Sequence, residues 1–345
     1  MAPLNWGLGH ATRCIPIINA LQDSGFTPLI ASDGSSLDLL KKEFPLLETI
    51  ELPSYKIEYA KKGRHFKLKM IKDSPKMFKA INKERKQIGK LVRQGQIQGI
   101  ISDNRFGVRS KKVPSVFITH QLNVLTGNTT WLSSKMHRRF IKKFDECWVP
   151  DVEGTPNLSG KLGHIKKPLP NLKYIGPLSR LGTPETIDYY DLLVILSGPE
   201  PQRTMLENKL FEEVKDFNGK VLFIRGKVEE KQEQFDFLNC RVFNFMTSKE
   251  LEIAFGQSAM VLCRSGYTTM MDLAKVNKKA FLIPTPGQYE QEYLAKYYKK
   301  MGVAPCCNQK KFSIDKLEKV DGYPGFGGFY KETDLSDLFG LFERK

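Results

Sequence analysis

The sequence predicts an α/β protein with two doubly wound parallel-sheet domains, and three observations predict it. Strand and helix signals alternate along most of the 345 residues, the pattern of parallel strands covered on both faces. That length exceeds the usual single domain, so two domains of about 170 residues are expected. A Gly/Pro-rich stretch from 151 to 190, with no long periodic segment, separates the two runs of alternation and reads as a linker.

The elements follow in order. Ala2-Pro3-Leu4 reads as a strand, Asn5-Trp6-Gly7-Leu8-Gly9-His10 as a Gly-rich turn, and Ala11 to Leu21 as a helix ending at Gly25. The first strand has only Met1 to Leu4, against about five or six residues in an average strand. Either this central strand is abbreviated or the true start lies upstream. Thr27 to Ala31 reads as a strand, Ser36 to Phe44 as a helix, and 65 to 95 as a basic helical region. Strands follow at Gly99 to Ser102, Ser115 to Thr119 and Glu146 to Val149. After the Gly/Pro stretch come strand Leu192 to Leu196, helix Pro201 to Lys215, strands Val221 to Arg225 and Arg241 to Phe245, and helix Ser248 to Gln257. Val261 to Cys263 and Ala280 to Pro284 are strands flanking a helix, and Leu335 to Arg344 reads as a last amphipathic helix. The organisation expected is a first domain over 1–178, onto which a C-terminal helix at 333–345 packs back, and a second over 179–332.

Composition narrows the function classes. Six cysteines carry no C-x-x-C pair and no zinc-site spacing, so they read as reduced structural thiols. No signal-peptide pattern and no apolar stretch near 18 residues occurs, which predicts a cytoplasmic protein that meets a membrane only peripherally. Charge is uneven. Residues 1–180 hold 31 Lys+Arg against 14 Asp+Glu, a net of +17, which leaves −1 for the rest of the overall +16. Residues 56–93 alone carry 14 Lys+Arg and 3 Asp+Glu, with Phe66, Met70, Ile71, Met77, Phe78 and Ile81 interleaved. Such a segment suits an anionic surface: bilayer headgroups, a lipid phosphate or nucleic acid. A solvated helix pair with lysines on its outer face is the plainer reading.

The chemistry is concentrated in Val261 to Ala295. A strand ends at a Ser265-Gly266 turn, and the helix that follows carries Tyr267, Thr268, Thr269 and Asp272. Amides of a first helical turn, together with the helix dipole, favour an anion such as a diphosphate. The carboxylate of Asp272 suits the two hydroxyls of a ribose. Ser197-Gly198, after the first strand of the second half, makes another phosphate cradle. His10, after the first strand of the chain, is placed to act as a general base. His120, Gln121 and Asn123 follow the strand from Ser115 and belong with Gly7, Gly9 and Asp103 on an acceptor side. No P-loop, no G-x-G-x-x-G and no carboxylate cluster for a divalent metal occurs. A metal-free reaction without a cofactor is expected, in which helix dipoles and basic side chains such as Arg180 hold a leaving diphosphate.

At these residues the second half resembles the C-terminal domain of family 28 glycosyltransferases, a MurG-like group, and the first half resembles their acceptor domain more loosely. The resemblance implies the GT-B fold, two Rossmann-like domains with a cleft between them. It implies that Arg264-Ser265-Gly266 leads into backbone groups at Tyr267, Thr268 and Thr269 that meet the diphosphate, with Asp272 at the ribose, where the family usually has Glu. Gln291 and Glu292 look like the paired glutamines that hold the sugar, and Glu292 in place of Gln suggests a sugar other than N-acetylglucosamine. Phe245-Met246 matches the uracil site, Arg180 an arginine after a Gly-x-Pro turn, Ser197-Gly198 a Gly-Gly-Ser loop, and His10 the proposed base. The implied reaction is inverting, metal-independent transfer from a UDP-sugar to an acceptor that is lipid-linked or otherwise unknown. Gly9-His10-x-x-Arg13-Cys14 also resembles the N-terminal motif of UDP-sugar hydrolases of pseudaminic acid synthesis, an alternative in which water replaces the acceptor. A second alternative is a non-enzymatic protein binding anionic surfaces through 56–93. No nucleic-acid partner is expected.

Overall fold

The fold is that of a computed structural model describing residues 1–55, 66–185, 187, 189–198 and 200–343. Of these, 1–55, 67–178 and 331–343 form one compact unit, and 179–330 together with Phe66, the first residue of a helix otherwise in the first unit, form a second.

The first unit opens with β1 (Ala2–Pro3), α1 (Gly9–Asp23), β2 (Ile30–Ser32), α2 (Gly34–Glu43), β3 (Thr49–Glu51) and α3 (Phe66–Arg93). It continues with β4 (Ile100–Asp103), β5 (Ser115–Ile118), α4 (Thr130–Ile141), β6 (Glu146–Val149) and β7 (Leu172–Tyr174). β1, β4, β5, β6 and β7 form one parallel sheet in that order, and β2 and β3 form a parallel pair. Met1 joins the two: its amino group donates to the Leu29 carbonyl at 2.8 Å, and its carbonyl accepts from Ala31 N at 2.9 Å. The strands therefore run β3-β2-β1-β4-β5-β6-β7, and chain direction through the sheet reverses at β1 and β4. In doubly wound sheets the ligand site lies outside the carboxyl ends at such a reversal. β4 and β5 are buried at every position, as strands covered on both faces must be. The first strand, β1, is two residues long.

Several expectations change here. The stretch 151–190 is not one linker, because β7 lies within it and pairs with β6. Its loop is fixed by Asp151, whose carboxylate accepts from the amides of Val152, Leu158 and Ser159. Short strand β3 and helix α4, unread in the sequence, complete the unit. The tail is a helical turn at Ser336–Leu338 and then α9 (Gly340–Glu343). It is held by aromatic packing, with Phe339 edge-on to Phe26 at 5.9 Å and tilted against Trp148 at 6.4 Å.

The basic segment is partly resolved into roles. Residues 56–65 lie outside the described residues. Over the second half of α3, Ala80, Ile81, Glu84 and Ile88 are buried, while Lys76, Lys79, Lys83, Arg85, Lys86, Lys90 and Arg93 are exposed. Met77 packs inward with Leu4, Tyr55, Ala80 and Ile81. This part of the segment is an amphipathic helix seated on the sheet, its cations solvated, with Phe78 the large apolar side chain it exposes.

The second unit comprises β8 (Tyr190–Ile195), α5 (Gln202–Glu213), β9 (Val221–Ile224), β10 (Gln234–Phe237), β11 (Cys240–Phe243) and α6 (Ser248–Gly256). It ends with β12 (Ser258–Cys263), α7 (Tyr267–Val276), β13 (Lys279–Leu282) and α8 (Tyr289–Lys300). The strand order is β10-β11-β9-β8-β12-β13, with β10 antiparallel and the others parallel. Successive strands run outward from β8 through β9 to β11, and then the chain returns to β12 on the other side. The reversal falls between β8 and β12, which are paired over Ser258–Cys263. Loops 196–201 and 264–266 therefore leave neighbouring strand ends. α6 starts at a capping box, with Thr247 and Glu250 bonded reciprocally.

Candidate active site

In the first unit, the pairing of β1 with β4 brings His10, in the helix after β1, to Asp103 at the end of β4. His10 sits in the first turn of α1, not at a loop tip as the Gly-rich spacing suggested, because the helix already begins at Gly9. Its Nδ1 lies 2.7 Å from Asp103 Oδ1. A carboxylate at that distance requires the proton on Nδ1, which leaves Nε2 with its lone pair. Arg13, one helical turn further on, donates Nε to Asp103 Oδ2 and Nη2 to Oδ1, and Nη1 donates to His120 Nδ1 at 2.9 Å. Asp103 is fully buried and Arg13 is 1% exposed. Burial alone would raise the Asp103 carboxyl, but Arg13 and His10 outweigh it and hold it well below the ordinary carboxylate range. Burial lowers His10 from its ordinary value, opposed by Asp103 and reinforced by Arg13. The neutral imidazole, the form a base needs, is thus favoured.

Other acceptor-side expectations divide. Gly7, at φ +77°, has open space where a Cβ would stand, and Gly9 opens α1. Gln121 is half-buried, its amide donating to Thr119 Oγ1. Asn123 is a strut: its Nδ2 donates to the Lys161 and His164 carbonyls and its Oδ1 accepts from Arg138. The sequence reading missed a second buried group. Arg105 donates to Asp33, Glu84 and the Pro3 carbonyl, and Tyr55 donates to Glu84 at 2.6 Å. Asn5 in turn donates to Asp33 at 3.3 Å, so this network holds the loop that delivers His10. Its partners are too far apart in sequence to form a motif.

In the second unit, Gly266 caps α7, and the first intrahelical bond runs from Met270 N to Gly266 O. The amides of Tyr267, Thr268 and Thr269 therefore lie outside the helical ladder, at the positive end of the dipole. Ser265 is buried, and its hydroxyl donates to the Gln291 carbonyl at 2.8 Å, which ties the turn to α8. Gln291 Oε1 accepts from Thr285 N at 2.8 Å and Glu292 Oε1 from Gly287 N at 2.9 Å. The expected sugar pair thus also shapes loop 285–288. Gly198 has φ +102°, a conformation that selects glycine. Ser197 beside it is half-buried. Arg264 is structural: fully buried, it donates to the carbonyls of Ile283, Pro284 and Gln202 and to Gln309.

Asp272 is 6% exposed, accepts from Ser179 Oγ at 2.7 Å, and is pushed up to about 6 by burial, against the charge of Arg180 and the Ser179 bond. Phe245 is buried, its amide bonded to Asn244 Oδ1 and its carbonyl to Gln232, with Met246 half-buried beside it. Buried polar atoms without a partner in this unit include Gln202 Oε1, Arg264 Nε, Thr285 Oγ1 and Gln288 Oε1. All four stand just beyond β8, β12 and β13, where a polar ligand would satisfy such atoms. Among the described residues no group of three or more His, Cys, Asp or Glu is placed to hold a metal ion.

Residues 198–320 match the family model for the glycosyltransferase family 28 C-terminal domain. The chain is similar to the UDP-N-acetylglucosamine--N-acetylmuramyl-(pentapeptide) pyrophosphoryl-undecaprenol N-acetylglucosamine transferase of Haemophilus ducreyi, 24% identical over 62% of this chain and 59% of that one. It thus spans less than two thirds of that relative. The enzyme of the same name from Glaesserella parasuis is 23% identical over 90% of this chain and 85% of its own. Among solved structures, Acinetobacter baumannii MurG superposes with TM-score 0.57 at 12% identity, covering 100% of this chain and 98% of that one. The spinosyn rhamnosyltransferase SpnG in complex with thymidine diphosphate gives 0.59 at 13% identity, over 99% and 95%. At such identities the likeness establishes the fold.

Proposed function

We propose that this chain, a MurG-like glycosyltransferase of the GT-B fold, moves a sugar with inversion from a UDP-sugar to a lipid-linked acceptor. The relatives' names give the donor and acceptor classes. The observation that carries the reading is the sheet reversal of the second unit. It sets the Ser197-Gly198 loop beside the N-terminus of α7 on adjacent strand ends, which supports reading the two as cradles for one anion.

In this reading the second unit holds the donor. The α7 amides meet the diphosphate, Asp272 accepts from the ribose hydroxyls, Phe245-Met246 packs the uracil, and Gln291 and Glu292 address the sugar. His10 Nε2 takes the proton of the acceptor hydroxyl. The hydroxyl oxygen bonds to the anomeric carbon from the face opposite the diphosphate as the carbon–oxygen bond to UDP breaks. The departing charge is met by helix dipoles and Arg180 without a metal. A carboxylate accepts but does not donate, so Glu292 favours sugar hydroxyls over an N-acetyl carbonyl. The hydrolase differs only in the nucleophile. A panel of UDP- and GDP-sugars, followed for nucleotide release with and without a membrane extract, separates the two. Release that needs the extract supports transfer, and equal release without it supports hydrolysis.

A lipid-linked acceptor brings the enzyme to a membrane. No described helix is long and apolar enough to cross one. Among the described side chains, a surface suited to an anionic bilayer is α4 with its following turn. Trp131, Leu132 and Met136 are exposed by 66%, 44% and 47%. Residues 130–143 hold five cations and no acid. An exposed Trp among cations is the composition of an interfacial helix. Co-sedimentation with phosphatidylglycerol vesicles at low salt is expected for the wild type and reduced at least about fivefold in a Trp131→Ser, Leu132→Ser double variant. Unchanged sedimentation of that variant removes α4 from the contact.

A further inference from the structure

We propose that Arg13 is the positioning residue of the first unit's site, assigning opposite tautomers to two histidines and making His10, not His120, the base. The inference rests on the reading of His10 as base but is testable without turnover.

The geometry is a chain through one buried guanidinium. The N–H groups of one edge, Nε and Nη2, hold both oxygens of Asp103, and a third, on Nη1, reaches His120 Nδ1 at 2.9 Å. Arginine has donors only. His120 must therefore accept at Nδ1 and carry its proton on Nε2. Asp103, held as a carboxylate, accepts only, so His10 must carry its proton on Nδ1, which faces Oδ1 at 2.7 Å. Arg13 Nη2 also stands 2.9 Å from His10 Nδ1. With Nδ1 protonated, that approach is a repulsion that favours the neutral ring. One fork thus keeps Asp103 ionised, points His10's lone pair away from the carboxylate, and fixes His120 in the other tautomer.

The groups facing this chain come from every element around it: Arg13 and Cys14 from α1, Asp103 from β4, His120 after β5, and His137 of α4. The fork is a planar geometry that a point cation cannot copy. Lysine in place of Arg13 keeps a positive charge but cannot span Asp103 and His120 together.

The test is nitrogen-15 histidine NMR on the full chain, wild type against Arg13→Lys and Arg13→Met, with kinetics alongside. The wild type is expected to show His10 as the Nδ1–H tautomer and His120 as Nε2–H. In Arg13→Met, His10 is expected to titrate at a higher pH than in the wild type, because the repulsion is lost while Asp103 remains. His120 in either variant is expected to exchange between tautomers. Where a UDP-sugar is turned over, kcat falls at least about tenfold with UDP affinity unchanged. Arg13→Met loses a partner of a buried carboxylate, so Arg13→Lys serves if it fails to fold. Unchanged tautomers and titration in a folded variant overturn the proposal. A wild type that shows these tautomers but turns over no UDP-sugar instead overturns the functional reading.

Discussion

Replacing His10 by alanine is expected to slow turnover of a UDP-sugar at least about 100-fold while UDP affinity stays as in the wild type. The split follows from the architecture. His10 belongs to the first unit, whereas the groups assigned to the nucleotide all belong to the second. A base removed from an intact donor site lowers kcat and leaves binding alone. The pH dependence has a defined sign. The base must be neutral, and burial lowers His10 below its ordinary 6.5, so the acid limb of the wild-type rate profile should fall below pH 6.5. In His10→Ala that limb should disappear from the residual rate. Turnover equal to the wild type, or an acid limb that persists, would show that the proton goes elsewhere.

Replacing Asp272 by asparagine is expected to push stability and binding in opposite directions. Its folded value of about 6 lies above the ordinary 3.8. The folded state therefore binds the proton more tightly than the unfolded chain does. Stability is then greatest below the unfolded value and falls as pH rises from about 4 to about 6, leaving an ionised, buried carboxylate at neutrality. That cost is on the order of 1–3 kcal/mol at pH 7. The asparagine amide keeps an acceptor oxygen for the Ser179 hydroxyl without the charge. Urea unfolding should show the variant more stable at pH 7, the gain shrinking toward pH 4. The same change removes the charged acceptor for the ribose hydroxyls, and hydrogen bonds to charge contribute about 1.5–3 kcal/mol. Affinity for UDP should drop about tenfold or more, and the preference for UDP over its 2′-deoxy analogue should collapse. Calorimetry giving equal affinities in both proteins would mean the ribose lies elsewhere. A residue that weakens the empty protein and strengthens the complex is the pattern expected of a binding site.

Much of this was legible in the residues. Periodicity placed most strands and helices, because parallel strands are continuous apolar runs and Gly/Pro turns punctuate them. Ser265-Gly266 before a helical pattern was enough to locate the start of α7, whose first-turn amides exist wherever a helix begins. Elements with weak local signals were lost. β3 and β10 are short and partly exposed, and β7 hides in a Gly/Pro-rich stretch where only its partner β6 defines it as a strand. The interleaved apolar residues of the basic segment looked like one surface, yet a helix of 3.6 residues per turn sends Met77 and Ile81 inward while its lysines face water.

The sequence by itself determined the fold class, the strand–turn–helix unit of the second half and the histidine after the first strand, because each is written in residues close together along the chain. Tertiary structure alone decided which of them meet. Asp103 lies 93 positions from His10 and 90 from Arg13, and Ser179 lies 93 from Asp272. The first two pairs form because sheet order, not chain order, puts β1 beside β4, and the third because the chain entering the second unit meets α7. Burial and the charge of a neighbour, which set how each group holds its proton, exist only once the strands have paired.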